Sequence, residues 1–380
     1  MSDTNLAAAR LFLDAADALE SGGAAARPRI AVTGQGSELG EKTIAEACSA
    51  AAANGSSIYY LGQEKVSGAV NIHCADDVAS RGEMNRLLLS GECHAAVTMH
   101  YNFPIGTATV GRVITPSRGK EMFIATTTGT PSTDRTESLV LGALYGIIAA
   151  KSCGMRHPAV GLLNIDGARR AETALRKLQG RGYPLQFAKS VRADGGAIMR
   201  GNDVLLGAAD VLVCDPLTGN VLMKMLSAFN SGGDRECSGY GYGPGVGKGV
   251  RAPVLIVSRT SDAPVVLNAI HYAEQVIKGA ISKITDETLA EAGNCGLYDI
   301  LEGSRDVVPA AEGNALPPES EPVTESVSGV EVTDIDAAVR LLWENNVYAE
   351  SGMGCTGPVV MVSGKRLERA LELLRGAGYL

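Results

Sequence analysis

Long apolar runs are missing from this 380-residue chain. None approaches the roughly 18 consecutive apolar residues of a membrane-spanning helix, so no membrane partner is expected. A basic surplus is missing as well. Lys and Arg number 34 against 42 Asp and Glu, a formal net charge of −8, which withholds the cationic surface that a nucleic-acid backbone requires. The eight cysteines (48, 74, 93, 153, 214, 237, 295 and 355) include no C-x-x-C pair, and the five histidines (73, 94, 100, 157 and 271) no i, i+4 pair. A zinc site is therefore not expected, nor any other metal. Most of the thiols read as buried and reduced. No G-x-S-x-G elbow occurs, which leaves an α/β-hydrolase triad unsupported. The opening Met1-Ser2-Asp3-Thr4 carries an acid and no apolar h-region. A secretory signal is thus not expected, and a cytoplasmic location is.

Glycine, by contrast, is plentiful at 46 residues and sits between apolar runs, as many tight strand–helix turns require. After a helix expected over Leu6 to Leu19, a unit of short apolar run, polar Gly-rich loop and helix recurs. Arg29 to Thr33, Ala95 to Met99, Val160 to Ile165, Val211 to Cys214 and Val254 to Val257 read as strands. Ala171, Ala174, Leu175 and Leu178 take the spacing of a helix face. Continuous apolar strands alternating with amphipathic helices predict an α/β protein whose parallel sheet is covered on both faces. Thr109 to Ile114 reads as helical or turn, and the tract Gly239 to Gly249 as a flexible loop close to a ligand or partner.

The length corresponds to about 2.5 domains. A first α/β domain is expected from 1–130 together with 255–303, and a second from 131–254. Pro309, Pro317, Pro318 and Pro322, set among Glu, Ser and Asn, predict an exposed linker over 304–327. Residues 328–380 then read as a small module. A helix opens at Thr333-Asp334-Ile335-Asp336, strands follow near Asn346 to Glu350 and Val359 to Val362, and Leu367, Ala370, Leu371 and Leu374 mark a last helix. About 50 residues are few for independent stability, so docking on the body or on a partner subunit is expected.

Ligands of open α/β sheets bind at the carboxyl ends of the strands. Two such loops carry suitable groups. Cys214-Asp215-Pro216-Leu217-Thr218-Gly219-Asn220 offers an acid, a hydroxyl and an amide before a helix. Ser258-Arg259-Thr260-Ser261-Asp262 adds a guanidinium, whose planar fork suits phosphate oxygens, at a helix start that favours anions. Asp262 and Thr218 acting only as helix caps, and Arg259 as a surface charge, is the plainer reading of the same residues. Gly34-x-Gly36-x-x-x-Gly40 is a residue too long for the dinucleotide fingerprint and lacks its trailing acid. Cys355 stands between Gly352, Gly354 and Gly357 in a loop joining two strands, where small neighbours would expose the sulfur and leave backbone N–H groups near it. His100, just past a strand, is the only histidine placed to approach a cleft.

The run Val160-Gly161-Leu162-Leu163-Asn164-Ile165, then Gly201-Asn202, then Asp210 through Val221, resembles the phosphate acyltransferases of bacterial phospholipid synthesis. Ser261-Asp262-Ala263 and Asn268-Ala269-Ile270 continue that likeness, and Gly106 to Arg112 resembles the phosphate-side segment of phosphotransacetylase. The tail Tyr348 to Pro358 on such a body, with Gly36-Ser37-Glu38-Leu39-Gly40-Glu41, is similar along the whole chain to the smaller (alpha) subunit of component C of the glycine, sarcosine and betaine reductases.

The resemblance implies a two-domain parallel-sheet α/β/α fold of the phosphotransacetylase and isocitrate-dehydrogenase-like type, with a small C-terminal α/β module. It implies a partnership with the larger (beta) subunit of component C and with selenoprotein A, in a hetero-oligomer without nucleic acid or membrane. A carboxymethyl group delivered on selenium would be reduced to an acetyl thioester on a component C cysteine, which by motif position is Cys355. Inorganic phosphate would then cleave it to acetyl phosphate, with no cofactor. Ser258, Arg259, Ser261 and Asp262 are expected to hold the phosphate on one side and Thr107 and Arg112 on the other, with Thr218, Gly219 and Asn220 lining the cleft. The tail is expected to fold back over that cleft. Two alternatives remain open from the sequence: a free-standing phosphate acyltransferase using acyl-CoA, and a non-catalytic scaffold for the larger subunit.

Overall fold

A computed structural model describes residues 27–193, 195–303, 316–330, 334–354 and 357–380, together with Phe12, Ala15 and Ala16. Most of the helix expected over Leu6 to Leu19 and most of the linker lie outside the described residues, as does Cys355; Phe12, Ala15 and Ala16 are helical. Within them the α/β expectation holds. Strand β1 (Arg29–Thr33), helix α1 (Glu41–Ala53), β2 (Ser57–Gly62), β3 (Val70–His73), α2 (Asp77–Ser90) and β4 (Ala95–Thr98) open the chain. A short strand β5 (Phe103–Pro104) leads into β6 (Thr107–Ile114) and β7 (Glu121–Thr130). Then follow α3 (Arg135–Ser152), β8 (Ala159–Leu163), α4 (Ala168–Gly180), β9 (Gln186–Phe187), β10 (Ile198–Met199), α5 (Gly201–Leu206), β11 (Val211–Val213) and α6 (Pro216–Ser227). The body closes with β12 (Gly243–Gly247), β13 (Val254–Ile256), α7 (Ala263–Lys278), α8 (Ile281–Asn294) and α9 (Leu297–Glu302).

The sheet of the body has twelve strands, in the order β10-β8-β11-β7-β6-β12-β13-β4-β1-β2-β3 with β9 beside β8. Two parallel groups occupy its ends: β13, β4, β1, β2 and β3 in one, and β7, β11, β8, β9 and β10 in the other. Strands β12 and β6 join them through antiparallel pairs. The sheet runs unbroken across residue 130, the expected domain edge, because β7 pairs with β6 on one side and with β11 on the other.

Burial follows the apolar pattern of the strands. All five residues of β1 are buried, Arg29 and Thr33 among them. On α4, Ala171, Ala174, Leu175 and Leu178 form the buried face, as their spacing requires.

Two segments fold otherwise than expected. Thr109 to Ile114, read as helical or turn, lies within β6, where Thr107, Thr109, Val110, Val113 and Ile114 supply the β-branched side chains that a pleated, packed strand favours. The glycine-rich tract read as a flexible loop contains β12, buried along its whole length. Every second side chain is absent there, at Gly243, Gly245 and Gly247, because neighbours leave no room. A Cβ at Gly243 would lie 1.7 Å from the Val110 carbonyl oxygen, at Gly245 2.3 Å from the Phe103 ring, and at Gly247 2.5 Å from the Gly106 oxygen.

The C-terminal module consists of β14 (Glu325–Ser328), α10 (Ile335–Glu344), β15 (Ala349–Gly354), β16 (Gly357–Val362) and α11 (Leu367–Gly376). Strand β14 begins inside the segment expected to be linker, because Val327 is buried and its ladder with β16 satisfies the backbone. A separate small core, with Ile335, Leu342, Val360, Val362, Ala370 and Leu374, holds the module together. Its sheet has the order β14-β16-β15-β5, so a strand of the body serves as its fourth member. Gly352 pairs with Pro104 and Met353 with Phe103, Ile105 packs on the module's core, and the Thr133 hydroxyl donates to Asp336 at 3.2 Å. The expected docking on the body is thus observed.

Candidate active site

The carboxyl ends of β1, β4 and β13 converge. The Val257 N–H donates to the Thr98 carbonyl at 3.0 Å, and the Glu38 N–H to the Arg259 carbonyl at 2.8 Å. The loop after β1 therefore braces the loop after β13. Helix α7 starts at Ala263, whose N–H bonds the Asp262 carboxylate at 2.8 Å, and α1 starts at Glu41. Both helix N-termini bring partial positive charge to this end of the sheet.

Within this frame Arg259 is exposed. Its side chain has no hydrogen bond or ion pair among the described residues, while its backbone is fixed. Ser258 is tied down from several sides. Its N–H donates to Ser261 Oγ at 3.0 Å, its own Oγ lies 3.0 Å from Thr260 Oγ1, and Lys224 Nζ donates to that Oγ at 3.2 Å. Asp262 is spent on its helix cap and on Arg235, whose Nε lies 2.7 Å away. The Arg235 hydrogen bond is the main cause holding the Asp262 carboxyl below its ordinary value. Ser261 is fully buried and donates to Glu236 at 3.1 Å. Arg259 is therefore the member of this loop whose side chain is left uncommitted, beside a partly exposed Ser258, and Ser261 and Asp262 hold the loop's shape.

Glu236 and Lys224 escaped notice in the sequence. Glu236 sits in a polar tract remote from any motif, and Lys224 is one of several helical lysines. Glu236 is completely buried, and its carboxylate accepts from Tyr242 at 2.9 Å and from Ser261. Its own N–H donates to the Thr260 carbonyl, and its carbonyl accepts from the Asp262 N–H. Nothing in residue spacing foretells this brace, because it spans about 25 positions and two loops.

Thr218, Gly219 and Asn220 start α6, where Asp215 accepts from both the N–H and the hydroxyl of Thr218. Gly219 lies against β7 so closely that a Cβ would meet the Thr126 oxygen at 1.8 Å. Asn220 is exposed and donates to the Thr127 carbonyl at 3.3 Å. Six residues of helix, about 9 Å, separate Thr218 from Lys224, so α6 spans from Thr126 and Thr127 within β7 to the Ser258 loop.

The two remaining expected phosphate ligands are not brought here. Thr107 is buried in the sheet between Thr130 and Gly247. It lies about 13 Å along β12 from the end that meets Ile256. Arg112 is buried in a cage of Tyr240, Tyr272 and Phe123, with its guanidinium carbon 4.2 Å from the Tyr240 centroid. Its terminal nitrogens are committed to Gln275 and Glu121. Arg112 thus belongs to the packing that fastens β6 to α7. Arg112→Met is expected to cost about 2–4 kcal/mol in urea unfolding and to leave the anion affinity of the folded protein unchanged.

The module's hairpin is joined to the body through β5. Strand β15 runs antiparallel to β5, so each step toward its end moves back along the body chain from Pro104 to Phe103 and on toward Asn102, Tyr101 and His100. Gly354 and Gly357 pair across the hairpin end; the two residues between them, Cys355 and Thr356, lie outside the described residues. His100 is half-buried. Burial first, then the charge of Arg81, keeps its pKa below the ordinary value, and Arg259 contributes in the same sense. Among the other thiols, burial pushes Cys93 up to about 12 and Cys153 up to about 11, and raises Cys48 and Cys214 further. Burial of this kind favours the protonated thiol over the nucleophilic thiolate.

The model of the fatty acid synthesis protein family matches residues 28–361. A phosphate acyltransferase of a Geobacillus species is 27% identical over 213 residues, 46% of this chain and 61% of its own. One from Gloeothece citriformis is 32% identical over 157 residues, 40% and 42% respectively. The chain therefore belongs to the fatty acid synthesis protein family, and part of its body is similar to phosphate acyltransferases. A solved branched-chain phosphotransacylase from Enterococcus faecalis V583 aligns with 65% of this chain and 99% of its own, with 17% identity and a TM-score of 0.47. The glycine/sarcosine/betaine reductase complex component C subunit alpha of Peptoclostridium acidaminophilum is 47% identical over 384 residues, covering 100% of both chains. This chain belongs to that family of component C alpha subunits.

Proposed function

We propose that this chain is the acyl-phosphate-forming subunit of a reductase component C. An acetyl group arrives as a thioester on Cys355, and inorganic phosphate removes it. A phosphate oxygen attacks the carbonyl carbon; the C–O bond forms, the C–S bond breaks, and the sulfur leaves as a thiolate that regains a proton from solvent. The products are acetyl phosphate and the free thiol, with no change of oxidation state. A thiol of ordinary pKa, about 8.5, serves as both acceptor and leaving group.

The attack needs the phosphate held in line and its charge offset. Ser258 and the uncommitted Arg259 supply that, close to two helix N-termini, and Thr218, Gly219 and Asn220 flank the same side of α6. The larger subunit of component C and a selenoprotein carrying the carboxymethyl group are the partners this role requires, and glycine, sarcosine and betaine systems would all present the same acetyl thioester. The observation that supports the reading is the β15–β5 pairing, which fastens the module's hairpin to the body strand that follows His100 to Asn102.

Incubating the full chain with radiolabelled acetyl phosphate tests it in the reverse direction. One acetyl group per chain is expected, sensitive to hydroxylamine, discharged by added phosphate, and absent from Cys355→Ser. Equal labelling of the wild type and Cys355→Ser, or none in the wild type, would refute the proposal.

A further inference from the structure

We propose that Lys224 is the second cation of the phosphate subsite and that Glu236 is its positioning residue, taking up a proton from solution when an anion draws Lys224 away. This rests on the phosphate subsite of the proposed function and adds two residues to it.

The geometry comes first. The Lys224 ammonium stands 3.2 Å from Ser258 Oγ and 3.7 Å from Glu236 Oε1. It therefore shares the Ser258 hydroxyl with any ligand bound at that loop. Half of the Lys224 side chain is exposed, whereas that of Glu236 is 1% exposed. The lysine can follow a ligand and the carboxyl cannot. Lys224 stands at the Ser258 hydroxyl and the exposed Arg259 is the next residue, so the loop offers two cations to a tetrahedral dianion.

The groups facing Glu236 come from three elements. Tyr242, ahead of β12, donates to one oxygen; Ser261, after β13, donates to the other; Lys224, on α6, is the only cation within ion-pair distance among the described residues. The adjacent Arg235 and Asp262 are paired with each other. A carboxylate buried this fully depends on its single cation. Burial already holds the Glu236 carboxyl above its ordinary value, opposed by Tyr242, Lys224, Ser258 and Ser261. Moving Lys224 onto a phosphate removes one of those opposing influences and adds negative charge nearby, and both changes favour the protonated acid. Binding and protonation therefore reinforce each other, so affinity falls as pH rises through the range in which the carboxyl of the anion-bound form loses its proton.

Calorimetric titration of the full chain with sulfate, which does not itself titrate near neutral pH, in buffers of low and high ionisation enthalpy tests this. The wild type is expected to take up a fraction of a proton on binding, and Glu236→Gln to take up none while its affinity becomes independent of pH. Lys224→Met, altered at a half-exposed position, is expected to weaken sulfate and phosphate binding by about tenfold or more. Unchanged uptake in Glu236→Gln, unchanged affinity in Lys224→Met, or no anion binding by the wild type would each overturn the proposal. Proton-linked sulfate binding by Cys355→Ser would sustain it even if acetyl labelling failed. Phosphate discharging the acetylated Lys224→Met at the wild-type rate would overturn it and leave the thioester reading intact.

Discussion

Gly243→Ala is expected to destabilise the protein by about 3–5 kcal/mol in urea unfolding, near the upper end for a single substitution. Two costs combine. The backbone at Gly243 has φ +82°, a region that an L side chain occupies at a cost of about 1–2 kcal/mol. The added Cβ would also lie 1.7 Å from the Val110 oxygen and 2.5 Å from its carbon. That backbone belongs to β6 and cannot turn aside as a flexible side chain would, so overpacking adds about 1–3 kcal/mol or more. The position matters for the whole sheet, since Gly243 pairs with Ile256 and β12 is the strand that joins the two parallel groups. Gly249→Ala is the matched comparison. Its φ is similar at +83°, but no atom lies within 4 Å of the new Cβ, so only the conformational cost of about 1–2 kcal/mol is expected. Equal losses at the two positions would show that the packing across β12 contributes nothing.

That same glycine tract marks where reading the sequence fails. An unbroken apolar run such as Val211 to Val213 declares a buried strand through its own side chains. Gly243 to Gly247 is just as buried, but the apolar surface belongs to its neighbours: Val110, Phe103 and Thr107 lie far away in sequence. A strand defined by what approaches it leaves no periodicity of its own. Arg112 fails for a related reason. An arginine after Gly111 looks like a phosphate ligand until Tyr240, Tyr272, Glu121 and Gln275 close around it. The loop of Ser258 and Arg259 could be singled out in the sequence because the rule it follows is local: a strand's carboxyl end, a hydroxyl and a cation, then a helix start. Lys224 and Glu236 reach that loop from α6 and from the segment before β12, so only the folded chain brings them together. Strand β14 was hidden by the prolines before it, and the docking of the module could be expected only in outline. Its small core was evident, whereas its pairing with Phe103 and Pro104 depends on a two-residue strand too short to announce itself.

Arg259→Ala is expected to slow phosphate-dependent discharge of the acetylated protein by about 100-fold, the usual scale for removing one preorganised charge from an acyl-transfer site. Stability should stay within about 0.5 kcal/mol of the wild type, since the side chain is exposed and no partner is stranded. Arg259→Lys should recover only part of the rate, because an ammonium keeps the charge and loses the two-pronged contact. The division between kcat and KM for phosphate distinguishes two uses of the charge. A rise in KM alone would mean that Arg259 binds ground state and transition state equally, whereas a fall in kcat means that it meets charge developing during attack. The double variant Arg259→Ala/Lys224→Met is the stricter measurement. If both cations hold one phosphate beside Ser258, the two losses should not add, because the second cation has little left to bind once the first is gone. Simple additivity would place them on separate anions, and an unchanged rate in Arg259→Ala would remove the Ser258 loop from the reaction.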